Sequence, residues 1–207
     1  MGSSLALSSV GGIGEDAPPL SGAEEFAVAL PLLVGLGGGA LVACGIGASR
    51  PTRVLGLDRA DPVGLLWGVV AGVVLQAIAV GMEVLFLDRL FDDDSTRRLV
   101  DAFDTTGERL LLVLLVALVA PVAEELFYRG ALTGLARRRW PPGVAIAVVA
   151  AIFAASHLNT SQLLPLFVVG CGFGALAQWR NGLQPAIAAH MSFNAAGLTL
   201  LAIDGGW

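Results

Sequence analysis

Residues 120–132, APVAEELFYRGAL, place two adjacent glutamates and an arginine at the end of a run of leucine, valine and alanine that otherwise suits lipid. A charged group at the bilayer centre costs at least about 2.5 kcal/mol even on the lenient insertion scale, so such residues face a bundle interior or a wet cavity and point to function. Glu125 and Arg129 stand i, i+4 with the acid first, the favoured order for a helical ion pair. Glu124, about 100° further around the helix, is free to point elsewhere. A carboxylate in a partly dry cavity is suited to take a proton from water. Downstream, FAASH sets Phe153 and His157 on one face of a helix, and HMSFN does the same for His190 and Asn194. An imidazole and a side-chain amide are donors without net charge, so His190 and Asn194 suit the oxyanion of a tetrahedral intermediate. His157 suits orienting or deprotonating a water beside Glu124.

These side chains need elements to hold them. With 56% hydrophobic and 14% charged residues in 207, the chain reads as an integral membrane protein. A hydrocarbon core of about 30 Å takes roughly 20 apolar residues per helix. Six stretches approach that length, at about 26–47, 63–87, 110–135, 144–159, 163–179 and 183–203. The expected fold class is all-α, a polytopic membrane bundle of about six helices. Stretches four and five are short and joined by NTSQ, which implies a tight helical hairpin or one broken, partly re-entrant element. Pro141 and Pro142 in RRRWPPG stop the third helix from running on into the fourth.

Arginines of short loops collect on the cytoplasmic side. With the N-terminus outside, the inner loops hold Arg50, Arg53, Arg59, Arg137, Arg138, Arg139 and Arg180, while Arg89, Arg97, Arg98 and Arg109 lie outside among many acids. At 1.5 Å per residue, Glu124 and His157 come out about 20 Å deep from the Arg137–Gly143 turn, and His190 and Asn194 about 10 and 16 Å deep from Leu183 on the same side. Both histidines of the chain and the glutamate pair therefore share one slab near mid-membrane.

The net charge of −5 leaves no basic face for nucleic acid. Cys44 and Cys171 lie in apolar runs and offer neither a disulfide framework nor a metal site. Residues 1–25 read as a flexible, uncleaved tail. GGIGEDA and GLGGGA follow no strand and are not dinucleotide fingerprints. Gly170 and Gly174 instead form a G-x-x-x-G suited to close helix packing.

Glu124-Glu125-x-x-x-Arg129, Phe153-x-x-x-His157 and His190-x-x-x-Asn194 together resemble, in order and spacing, the motif set of the CAAX prenyl protease and bacteriocin-processing (abortive infection, Rce1-like) family of intramembrane proteases. The resemblance covers about 110–203, expected to be a four-helix protease core. The part at 26–109, two membrane helices and an acidic loop, looks like a less constrained addition. The resemblance implies peptide hydrolysis by a glutamate-activated water. It makes Glu124 the general base, His157 its partner, His190 with Asn194 the oxyanion pair, and Glu125 and Arg129 mainly architectural. It also implies a membrane-associated or lipidated peptide as substrate. No cofactor is expected: there is no H-E-x-x-H, the histidines lie on different helices, and a Glu/His/His zinc site is the alternative. The chain is shorter than the eight-span prenyl-protein proteases, and its all-arginine, acidic composition suits a prokaryotic plasma membrane. Rival readings are a non-catalytic scaffold or immunity factor that binds a partner in the same polar pocket, and a small transporter relaying protons through Glu124.

Overall fold

The computed structural model describes residues 22–45, 52, 55–58, 60–87, 103 and 105–203. The tail before residue 22, most of the acidic loop, and Arg50, Arg53 and Arg59 lie outside the described residues. Within them the chain is all-helical: α1 (Gly22–Gly45), α2 (Pro62–Met82, continued by a π turn, Glu83–Leu87), α3 (Thr106–Ala136), α4 (Pro142–Ser156), α5 (Leu163–Arg180) and α6 (Gln184–Ile203). All but α4 are long and apolar enough to cross a membrane. At about 1.5 Å per residue, the fifteen residues of α4 reach only some 22 Å, short of a full hydrocarbon core. Leu66, Trp67, Leu118, Ile152, Leu164 and Trp179 point their side chains away from the protein. In water such a surface would aggregate; in lipid it is the natural exterior, and the molecule is a helical membrane bundle.

Thr105 starts α3 with a capping box, its hydroxyl accepting from the Glu108 amide while the Glu108 carboxylate accepts from the Thr105 amide. α3 is not a uniform α-helix. Two π-helical segments, Leu115–Val119 and Leu126–Leu132, flank the short α-helical stretch Ala120–Glu125 that carries the acids. Pro121 supplies a cause for the first, because it has no N–H to continue the ladder. The Ala120 amide reaches back five residues to the Leu115 carbonyl, which leaves the Val116 carbonyl without its α-helical donor.

Small residues set which helices meet. On α2, Gly64, Gly68 and Gly72 lie against α6: a Cβ on Gly72 would run into Ser192 Oγ and the Ala189 carbonyl, and one on Gly68 into the Pro185 carbonyl. The Ser192 hydroxyl is within 3.1 Å of the Val69 carbonyl, a bond across this seam. Gly170 and Gly174 of α5 sit against Ala150 and Ile146 of α4, the close packing expected of their spacing. Gly172 faces Leu75 of α2, so the second helix packs on both α5 and α6 and takes part in the core. Gly72→Leu should therefore lower the apparent Tm in detergent by the equivalent of about 1–3 kcal/mol or more, the usual range for overpacking. Gly81→Leu, at a glycine of the same helix with nothing within 4 Å, should leave it unchanged or raised.

At the α5–α6 turn, Asn181 takes a left-handed conformation (φ 52°) and Gly56 a φ of 64° against Gly182. The Leu183 amide donates to the Leu55 carbonyl, and Gln184 bridges the Gly56 carbonyl and the Asp61 amide. Asp61 caps α2 through the Gly64 amide and accepts two bonds from Arg180 at 2.8 and 2.6 Å. Arg180 first, and the Gly64 amide second, hold the Asp61 carboxyl below its usual 3.8. A depressed folded-state value gives stability that is present above the unfolded value and lost as pH falls through the folded one. Asp61→Asn should lower the apparent Tm slightly at neutral pH and match the wild type below the usual carboxylate range, the effect being small because the pair is exposed.

Candidate active site

The buried centre of the site is an ion pair. Arg129 donates from one terminal nitrogen to Glu125 Oε1 at 2.7 Å, the two side chains being 2% and 0% exposed. Its other terminal nitrogen donates to the Gly170 carbonyl on α5 at 3.0 Å. The guanidinium lies 4.6 Å from the ring centre of Phe153 and 5.3 Å from that of Phe173, so aromatic faces on α4 and α5 complete its surroundings. One arginine thus ties three helices together. Burying such a charge is tolerable only because its donors are matched this closely.

His190 on α6 reaches the same pair, its Nδ1 lying 3.0 Å from Glu125 Oε1. The ring is stacked on Phe173 at 4.7 Å and 25°, with the edge of Phe153 at 5.8 Å. Its other nitrogen, Nε2, is 3.9 Å from Glu124 Oε2. Glu124 differs from its neighbour: its side chain is 19% exposed. Glu125 is thus held by Arg129 and His190, while Glu124 keeps partial exposure beside His190.

His157 lies one residue past the end of α4, not within a helix running to 159, and Leu158 follows with a φ of 52°. Its Nδ1 donates to the Phe153 carbonyl at 2.8 Å, and its ring meets Phe153 at 4.8 Å. A single phenyl ring therefore touches both imidazoles. His157 is exposed and His190 is 4% exposed, so the two meet different surroundings. The α4–α5 connection is drawn together by Asn159, whose Oδ1 accepts from the Ser161 amide and hydroxyl.

Asn194 donates through Nδ2 to the Val116 carbonyl at 2.7 Å, satisfying the acceptor that the π turn before Pro121 leaves open. Tyr128 donates to Ser156 Oγ at 2.9 Å. Ser156 in turn donates to the Phe153 carbonyl, fixing the end of α4. Phe173 and Ser156 were not legible as site residues. Nothing in their local spacing signals which helix they face. Among the described residues, no three of His, Cys, Asp and Glu gather as metal ligands. A separate cavity of about 160 Å³ reaches Arg129 from the α5–α6 turn, past Thr133, Arg137, Gln178 and Asn181.

Residues 106–196 match the model of the family described as type II CAAX prenyl endopeptidase Rce1-like. Over this stretch the chain is similar to the Rce1-like family. The match opens at the first residue of α3 and closes two residues past Asn194, so all six polar residues singled out above fall inside it. Neither curated proteins nor solved structures yield a match. The match supports a CAAX-type protease at family level, and the long apolar helices support a multi-pass membrane protein.

Proposed function

We propose that the chain is an intramembrane endopeptidase that cuts a membrane-associated or lipidated peptide with a water activated by Glu124. The observation that carries this reading is the contrast within the doublet: Glu125 is sealed and doubly engaged, while Glu124 is partly exposed and faces an imidazole nitrogen 3.9 Å away. In the reaction, Glu124 takes a proton from water as the water oxygen bonds to the scissile carbonyl carbon. The carbonyl electrons move to its oxygen, and Asn194, which keeps a second Nδ2 hydrogen beyond the one given to Val116, supplies a donor for that oxyanion. When the C–N bond breaks, the proton on Glu124 passes to the departing amine. His157 and His190 are the imidazoles beside the reacting water, with Glu125 and Arg129 holding the chamber's shape. The all-arginine, acidic composition fits a prokaryotic plasma membrane.

Comparing membrane proteomes of cells that carry the wild type or Glu124→Ala tests the reading. One membrane protein should accumulate uncut in the variant. If every peptide stays unchanged while a bound partner is still captured, the chain is a scaffold.

A further inference from the structure

We infer that Glu125 is the positioning carboxylate of His190, and that His190, so held, shares with Glu124 the water that attacks the scissile bond. This rests on the reading of Glu124 as the base and gives the two buried neighbours of Arg129 a part in the chemistry.

A carboxylate accepts and does not donate, so the 3.0 Å contact between Glu125 Oε1 and His190 Nδ1 places the ring proton on Nδ1. Glu125 cannot turn away from this task. The same oxygen accepts from Arg129, and Arg129 is pinned by the Gly170 carbonyl and by two aromatic faces. Its second oxygen, Oε2, is buried with no partner among the described residues, so the bonds at Oε1 are what offset the burial of the carboxylate. Stacking on Phe173 fixes the ring plane.

The consequence lies at the other nitrogen. In the neutral ring Nε2 carries a lone pair, and it faces Glu124 Oε2, also an acceptor, at 3.9 Å. A proton shared directly between the two would draw them to about 2.7–2.9 Å. Two acceptors at the observed separation are instead matched by one molecule that donates twice, and water is that molecule. His190 therefore enters the attack as an acceptor toward water and not as the oxyanion donor suggested by its spacing to Asn194. One water hydrogen is transferred to Glu124 as the O–C bond forms. The other stays on the attacking oxygen, hydrogen-bonded to Nε2, and leaves with the acid product, so the imidazole gains no net proton. His157 is not equivalent, because its Nδ1 is bound to a backbone carbonyl on the exposed side of Phe153.

The chain has two histidines, which makes the test direct. Protein labelled with ¹⁵N-histidine in lipid nanodiscs reports which nitrogen of each ring bears hydrogen, and His157→Asn assigns the pair. The wild type should show His190 protonated at Nδ1 and bare at Nε2; a hydrogen on Nε2 overturns the inference. Glu125→Gln, whose amide can turn to donate to Nδ1, should move the proton to Nε2. It should also lower kcat on a quenched fluorogenic prenylated CAAX peptide by about 10²–10⁴-fold with little change in KM. A shifted tautomer with wild-type kcat sinks the proposal. If Glu125→Gln fails to fold, the wild-type spectrum still decides. Glu124→Gln separates the two readings, since it should stop cleavage and leave the Nδ1 proton where it is.

Discussion

Glu124→Gln is expected to lower kcat by about 10²–10⁴-fold, the usual contribution of a positioned general base, and to leave the apparent Tm of the bundle close to that of the wild type. The amide has the shape of the carboxyl group but almost no basicity, so water bound against it keeps its proton. The fold should tolerate the change because Glu124 carries no part of the buried ion pair: its side chain is 19% exposed and, among the described residues, its close ionic neighbour is His190 at 3.9 Å. Cleavage of the prenylated reporter by purified protein and thermal unfolding in detergent, measured on one preparation, check both halves. Wild-type turnover by the variant would remove Glu124 from the role of base. A large fall in Tm would make it a structural residue.

Arg129→Met is expected to do the reverse and act first on stability, by about 3–5 kcal/mol, the range for breaking a buried ion pair from one side. Methionine fills part of the volume between Phe153 and Phe173, but Glu125 is then a fully buried carboxylate with His190 as its remaining partner among the described residues. The Gly170 carbonyl also loses its side-chain donor, loosening the link between α3 and α5. Neutralising both partners should be milder than neutralising one. Glu125→Gln with Arg129→Met should recover much of the lost stability, because no uncompensated charge remains. Equal instability of the single and double variants would show that the guanidinium acts by packing and by its bond to Gly170, not by charge.

Much of the molecule is legible in its residue order, and the reason is that hydropathy and helical spacing are local. Runs of leucine, valine and alanine have no stable place except in helices surrounded by lipid, so the all-helical membrane architecture follows directly. The i, i+4 spacing of Glu125 and Arg129 likewise forecasts their 2.7 Å pair, since both ends stand on one helix. Where a helix stops is less local. The FAASH motif places His157 on the face of Phe153, yet α4 ends at Ser156, where Tyr128 from another helix binds the serine hydroxyl. The π turn before Pro121 follows from the missing amide, but its filling by Asn194 depends on α6 lying alongside.

What the sequence by itself determined is the medium and the helices, and it singled out the six polar residues proposed to do chemistry, because each of these rests on residue types within a few turns of one another. Tertiary structure alone decided that His190 binds Glu125 through Nδ1 and meets Glu124 with Nε2, that Phe153 stands between the imidazoles, and that α2 closes on α6 through Gly64, Gly68 and Gly72. Side chains on separate helices have no fixed separation until the backbones pack, and how closely the backbones pack is set by small residues whose partners are tens of residues away.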